Sequence, residues 1–357
     1  MPEPLLNTIR SELEQIIKAL NISGKSLRAI FDLFAVECLE GSFEGMKLKG
    51  SCQSVINADG IPFQWSVSTG SGLGGGRFLT DCGSPALSIG DRVACTKSKF
   101  STSQIFSGTY KTPNTLERVL ECLLPPGDLL NASPMGFWLS AGENSCGVAK
   151  ITIYLNNQVG DIISRYRRFG NCLAMVGRLD ALDDLRDIVG IIDSRAVPIA
   201  SAVEIDSVAI GRLKLYFRAS VCSKTFFASV AIAAGKSNEL EPLSLFHRAF
   251  LEDESYPPES AVFSLEFGST GPPSFKLDLN TGMFLPSDVD VDRRILLLHD
   301  MLGIPDYEYV AVRDIVAPRP SATSVSQILF CGLAMRHDDR KVNVYFHPAF
   351  PTPTRFS

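Results

Sequence analysis

Polar and apolar residues alternate strictly along Arg212-Leu213-Lys214-Leu215-Tyr216-Phe217. Alternation at period two predicts a β-strand, because successive strand side chains point to opposite faces. Arg212, Lys214 and Tyr216 then share one face, and Leu213, Leu215 and Phe217 share the other. The apolar face needs a core or a layer of helices. The other face needs an anionic partner. Residues 150–155 and 341–346 repeat the alternation and carry a Tyr at the same place, Tyr154 and Tyr345. Three such strands predict a repeated architecture that converges cations and tyrosines on a common interior.

Helical spacing of Leu5, Leu6, Ile9, Leu13, Ile16, Ile17 and Leu20 predicts a helix over 4–21, and a second follows over 26–40. A meander is predicted over 46–57, 62–69 and 77–80, punctuated by Gly60 and the glycine run at 70–76. Further helices are predicted near 87–92, 113–124, 160–178, 180–189, 242–251 and 291–302. Strands are predicted at 136–141, 148–155, 201–207, 211–220, 261–267, 273–279, 308–313, 326–336 and 340–347; the apolar stretch 226–234 reads as strand or helix. Helices and antiparallel hairpins thus alternate about five times, which disfavours a doubly wound parallel sheet. The expected fold class is α+β, a closed antiparallel barrel of about ten strands surrounded by helices. Closure removes the sheet edges, and a barrel this wide leaves room for a ligand. No Pro/Ser-rich linker divides the chain, so residues 1–357 are expected to form one domain, with 1–40 packing on the barrel as helices.

Composition narrows the partners. The chain is 45% hydrophobic and 20% charged, enough for a sizeable core. A net charge of −5 without a basic tail points away from nucleic acid. No 18-residue apolar run and no secretory signal is present, so neither a membrane nor export is expected, and the expected compartment is cytoplasmic. The nine cysteines are scattered, with no CxxC pair, and read as reduced thiols. The four histidines are scattered too, so no zinc site is expected. No Gly-x-Ser-x-Gly elbow accompanies His337 or His347.

Several segments in order resemble the aromatic prenyltransferases of the dimethylallyltryptophan synthase type. Ala202 to Val208 followed by Arg212-Leu213-Lys214-Leu215-Tyr216-Phe217-Arg218 resembles that family's third repeat, where an Arg-x-Lys-x-Tyr strand holds a prenyl diphosphate. Gly60-Ile61-Pro62-Phe63-Gln64-Trp65-Ser66-Val67, then Arg77-Phe78, resembles its first hairpin. Lys150 to Leu155 resembles the second repeat, with Thr152 where Lys is usual; Ser274-Phe275-Lys276-Leu277-Asp278 resembles the fourth, and Lys341 to Pro348 the last strand. The resemblance spans about residues 40 to 350. It implies a ten-stranded barrel of αββα repeats and metal-independent transfer of a prenyl group to an electron-rich aromatic acceptor, most simply an indole. It also implies diphosphate binding by Arg77, Lys150, Thr152, Arg212, Lys214, Lys276 and Asn343, and shielding of an allylic cation by Tyr154, Tyr216 and Tyr345. No cofactor is required on this reading, magnesium being at most a stimulant. The partners are a prenyl diphosphate and an aromatic small molecule, and the protein is a monomer or homodimer.

The physical logic agrees. Convergent cations stabilise a departing diphosphate without a metal, Arg through a planar fork and Lys as a compact charge. Tyrosine faces attract the allylic cation by about 0.5–2 kcal/mol each and exclude water. Gln64 stands where indole-directed members carry Glu. Its amide oxygen can accept an indole N–H but cannot serve as a base, which leaves a phenolic acceptor open and the proton acceptor unassigned. Asp183-Asp184-Leu185-Arg186-Asp187 matches the magnesium-diphosphate DDxxD pattern but reads as a solvated helix face. The glycine run at 70–76 lacks the Gly-Lys-Ser/Thr ending of a phosphate loop. A barrel that only binds a hydrophobic or anionic small molecule is the alternative to an enzyme.

Overall fold

The computed structural model describes residues 3–41, 43–44, 47–48, 54, 56–57, 61–70, 75–84, 87–102, 113–124, 136–143, 149–156, 158, 160–205, 210–236, 240–251, 254–325, 327–336 and 339–348. Ten antiparallel strands close into one barrel. In chain order they are β1 (Phe63–Gly70), β2 (Gly75–Asp81), β3 (Phe137–Glu143), β4 (Ala149–Asn156), β5 (Ala196–Ile205), β6 (Ile210–Ala219), β7 (Ala261–Phe267), β8 (Ser274–Asn280), β9 (Ile328–Arg336) and β10 (Asp339–Phe346). Each pairs with its chain neighbours, and β10 closes on β1 with Tyr345 opposite Ser66.

The alternation read in the sequence sets the two faces. Leu213, Leu215 and Phe217 point outward and are buried under helices, as are Phe63, Trp65 and Val67 of β1. Their neighbours at the other parity point into the lumen. Helices 3–19, 89–102, 113–123, 162–175, 181–192, 224–231, 241–250, 288–302 and 307–316 form the outer layer with a helical run over 25–41. The stretch expected as a strand at 308–313 is a helix, Tyr307–Val316. Its buried residues Tyr309, Val312 and Val316 recur at helical spacing. Tertiary burial of that stripe overrides the strand preference of Tyr and Val. The ambiguous stretch 226–234 is also mainly helical. Most of the strand expected at 46–57 lies outside the described residues, as do 71–74 of the glycine run and His337.

Glu12 and Glu143 help fix the N-terminal helices to the barrel. Trp65 Nε1 donates to Glu12 Oε2 at 2.6 Å. Glu143, at the end of β3, accepts from the Ser23 hydroxyl at 2.7 Å and from the Gly24 and Leu27 amides at 2.9 and 3.3 Å. The Gly24 and Leu27 amides lie at the start of the 25–41 run, where an acidic side chain is favoured. The seven described cysteines carry free thiols. No described helix is long and apolar enough to cross a membrane.

His247, on helix Glu241–Phe250, is buried, its Nδ1 2.9 Å from the Tyr256 hydroxyl, while its Nε2 has no partner among the described residues. Burial, helped by Lys224, lowers its pKa to about 4. Between the unfolded value near 6.5 and the folded value near 4, the unfolded chain binds the extra proton. Stability is therefore full above about pH 6.5 and falls by up to roughly 3 kcal/mol as the pH drops through this window. Urea unfolding from pH 7 to pH 4 should show this loss, and His247→Gln should flatten it; an unchanged slope in the variant contradicts the assignment.

Candidate functional site

The hairpins stack with a regular offset. Tyr154 lies across Ala202 from Lys214, Tyr216 across Ser264 from Lys276, Asp278 across Gly332 from Asn343, and Tyr345 across Ser66 from Arg77. Each step to the next hairpin advances two residues, the shear that tilts barrel strands. The lumen therefore has a fivefold internal repeat read in rings. Nearest the mouth stand Gly75, Lys150, Arg212, Ser274 and Lys341. Next come Arg77, Thr152, Lys214, Lys276 and Asn343. Below these lie Leu79, Tyr154, Tyr216, Asp278 and Tyr345. The alternate strands supply Ser66, Ser140, Ala202, Ser264 and Gly332 beside the second ring. These five small residues leave the middle of the lumen open between long polar side chains. The resulting cavity has a volume of about 180 Å³ and opens at the ring of Lys150, Arg212 and Lys341.

Ten of the eleven residues singled out in the sequence line this one cavity: Arg77, Lys150, Thr152, Tyr154, Arg212, Lys214, Tyr216, Lys276, Asn343 and Tyr345. Gln64 does not line it. It sits deeper, opposite Leu79, and is 5% exposed. Its amide nitrogen donates to Asn57 Oδ1 at 2.8 Å and to the Ile56 carbonyl at 3.3 Å. Asn57 in turn donates to the Ile61 and Phe63 carbonyls, both at 2.8 Å, which fixes its own oxygen as an acceptor. The relay orients the Gln64 amide: its nitrogen is engaged by Asn57 and Ile56, and its oxygen is the group that can accept. Asp183, Asp184 and Asp187 lie on outer helix Ala181–Ile192, where Asp183 pairs with Arg186 at 2.7 Å; they do not reach the cavity.

Three lumen carboxylates went unread in the sequence: Glu204, Glu266 and Asp278. The signal was their parity, shared with Ala202, Ser264 and Lys276. Glu204 accepts from Arg212 Nε at 2.9 Å and meets Lys214 Nζ at 3.0 Å; Glu266 meets the same two cations at 3.4 and 3.6 Å. This is a charge-balanced quartet, buried at Lys214, Glu204 and Glu266. Burial alone would raise the Glu204 pKa, but Lys214 and Arg212 hold it well below the usual carboxylate range. Burial opposes the charge of Arg212, yet Glu266 and Glu204 raise its pKa.

Arg77 is different. Its guanidinium donates to Asn343 Oδ1 at 2.8 Å, an oxygen that also accepts from Ser68 Oγ at 3.0 Å, and no carboxylate among the described residues pairs with it. Gly142 makes its position possible, since a Cβ there would stand 2.2 Å from Arg77 Cγ. Lys276 donates to the Tyr345 hydroxyl at 2.5 Å, lies 2.7 Å from Asp278 Oδ1, and stands 5.0 Å from the centre of the Tyr345 ring. Burial disfavours its charge, but Asp278 and Tyr345 more than compensate and raise its pKa. Burial, with Asp278, pushes the Tyr345 phenol up to about 12. The Tyr154 and Tyr216 rings lie 5.8 Å apart, tilted by 51°. Six cations (Arg77, Lys150, Arg212, Lys214, Lys276, Lys341) and three carboxylates (Glu143, Glu204, Glu266) line the cavity, a formal excess of three positive charges, and Asp278 pairs with Lys276 beside it. The site can therefore hold a multiply charged anion above a collar of aromatic faces.

No protein-family model matches the chain, and no curated protein matches it in sequence. Solved structures do match its fold. Prenyltransferase PriB in a binary complex with product diphosphate superposes with a TM-score of 0.77 at 16% identity, covering 98% of this chain and 99% of that one. The 6-dimethylallyltryptophan synthase from Micromonospora olivasterospora, in complex with DMASPP and Trp, gives 0.76 at 16% identity over 96% of each chain. The 5-dimethylallyl tryptophan synthase from Streptomyces coelicolor, in complex with DMASPP and Trp, gives 0.74 at 17% identity over 98% and 99%. The chain thus shares the helix-wrapped ten-stranded barrel of these structures.

Proposed function

We propose that this protein transfers a prenyl group, dimethylallyl or longer, from its diphosphate to an electron-rich aromatic acceptor. The observation that carries the reading is the pair of stacked rings: a cationic ring holding Arg77, Lys214 and Lys276 directly above one holding Tyr154, Tyr216 and Tyr345. The fold likeness to structures whose complexes hold diphosphate, DMASPP and Trp supports it.

The rings map onto the reaction in order. The diphosphate occupies the upper cations, with Arg77 presenting its fork. The C1–O bond breaks, its electron pair leaves with the diphosphate oxygen, and cations already in place stabilise the growing charge without reorganisation. The allylic cation lies at the tyrosine collar, held by cation–π attraction and kept from water. The acceptor approaches from below, where the oriented Gln64 oxygen accepts its N–H or O–H. The reading requires no cofactor, with magnesium at most stimulatory, and it places the enzyme in the cytoplasm as a monomer or homodimer. An indole, such as tryptophan or a derivative, is the first acceptor class. The neutral character of Gln64 favours a phenol as the second.

Comparing tryptophan, indole derivatives and phenols at equal donor concentration separates the two. Turnover of indoles is the expected result; turnover confined to phenols overturns the indole assignment, and turnover of neither class overturns the transferase reading.

A further inference from the structure

We infer that Asp278 removes the ring proton after prenyl transfer, an inference that rests on the prenyl-transfer reading above. In three of the five repeats the collar position is a tyrosine, and in the first it is Leu79. In the fourth it is Asp278, fixed at that level by its register across Gly332 to Asn343. The level matters. The ring carbon that bonds to the allylic carbon becomes tetrahedral and carries the proton to be lost. A base for that proton has to stand at the height of the transferred carbon, which is the collar.

The other lumen carboxylates are fully engaged. Glu204 and Glu266 each meet both Arg212 and Lys214, and Glu143, at the cavity wall, accepts from three donors of the N-terminal segment. Among the described residues Asp278 pairs with Lys276 alone, and its Oδ1 is buried without an aligned hydrogen bond. An ionised carboxylate offers about four acceptor sites, so most of its capacity is unused where desolvation makes that costly. Opposite Asp278 stands a glycine: a Cβ at 332 would lie 1.9 Å from Oδ1, so the absent side chain is the space the carboxylate occupies. Lys276 links the two steps. A diphosphate competes for its ammonium group and thereby uncovers Asp278 as the allylic cation forms.

The step balances with the groups already named. The allylic carbon accepts an electron pair from the ring. The C–H bond at the attacked carbon then breaks, its pair restores the aromatic system, and the proton forms an O–H bond on Asp278. Diphosphate and the neutral product leave, and the proton passes to solvent.

Asp278→Asn keeps the shape and removes the basicity. With the fastest acceptor of the panel above, transfer should fall about 100-fold or more, the lower end of what general-base catalysis contributes. Inorganic pyrophosphate should still bind as in the parent. A primary isotope effect should appear with the ring-perdeuterated acceptor, because proton loss becomes rate-limiting, and Asp278→Glu should recover part of the rate. A merely structural role would move the unfolding midpoint and leave the isotope effect unchanged. Parental turnover without an isotope effect in Asp278→Asn overturns the assignment. Absence of transfer by the parent to every acceptor overturns it together with the transferase reading, a failure already visible before any substitution.

Discussion

Lys214→Ala should lower kcat/KM for dimethylallyl diphosphate on the order of 100- to 1000-fold, the loss that follows deletion of one preorganised donor to a developing anion. Two effects act in the same direction. The substitution removes an ammonium group from the cationic ring. It also strips Glu204 of its 3.0 Å partner and Glu266 of its 3.6 Å partner, leaving negative charge beside the incoming diphosphate. That second effect makes the prediction specific. Glu204→Gln added to Lys214→Ala removes the exposed carboxylate and should recover part of the activity. A double-mutant cycle reads the coupling, which is expected for residues in direct contact. Undiminished kcat/KM in Lys214→Ala would refute the cationic ring as the leaving-group site. A double variant no better than the single would show that the quartet is structural only.

Arg92→Met should destabilise the fold by about 3–5 kcal/mol, the usual result of removing one member of a buried ion pair. Arg92, on helix Ile89–Thr102, pairs with Asp81 at the end of β2, and it donates to the Cys82 and Phe137 carbonyls at 2.8 and 2.7 Å. Both charged groups are buried, at 5% and 1% exposure. Burial already raises the Asp81 pKa, with Arg92 opposing it. Without the guanidinium, Asp81 loses its ion-pair partner and the Cys82 and Phe137 carbonyls each lose a hydrogen bond, Phe137 keeping the one from the Cys82 amide at 2.8 Å. Asp81→Asn in the same chain removes the charge and should return a substantial part of the loss. Urea unfolding measures both, and a loss under about 1 kcal/mol in the single variant would contradict the pair's role. The strand it anchors carries Arg77, so destabilisation here should also weaken pyrophosphate binding.

Much of the barrel was legible because its strands obey one rule. A polar face into the lumen and an apolar face under helices force alternation, and alternation is visible in the sequence from Arg212 to Phe217. The same rule misled at Tyr307–Val316, where Tyr309 and Val312 satisfy a helical stripe as well as a strand pattern. Which lumen residues face one another was not legible. That depends on the two-residue offset between hairpins, a property of barrel closure rather than of any one strand. Hence the cations were found and their partners missed: Glu204 lies eight positions from Arg212 in sequence, and Glu266 fifty-four. Gln64 was found as a position, while its orientation came only with the Asn57 relay. Asp278 stood in plain sight two residues after Lys276, but its meaning depends on the tyrosines at the same level of three other repeats.

The most direct test of the central claim uses the intact protein with dimethylallyl diphosphate and a mixture of tryptophan, indole and simple phenols in the presence of EDTA, read by mass spectrometry. The proposed reaction predicts an acceptor that gains one isoprene unit, with diphosphate released and no metal added. Recovery of every compound unchanged while the protein binds the donor would contradict it and leave a barrel that holds its ligand without chemistry; a product formed only when magnesium is restored would contradict the metal-independent departure assigned to Arg77, Lys214 and Lys276.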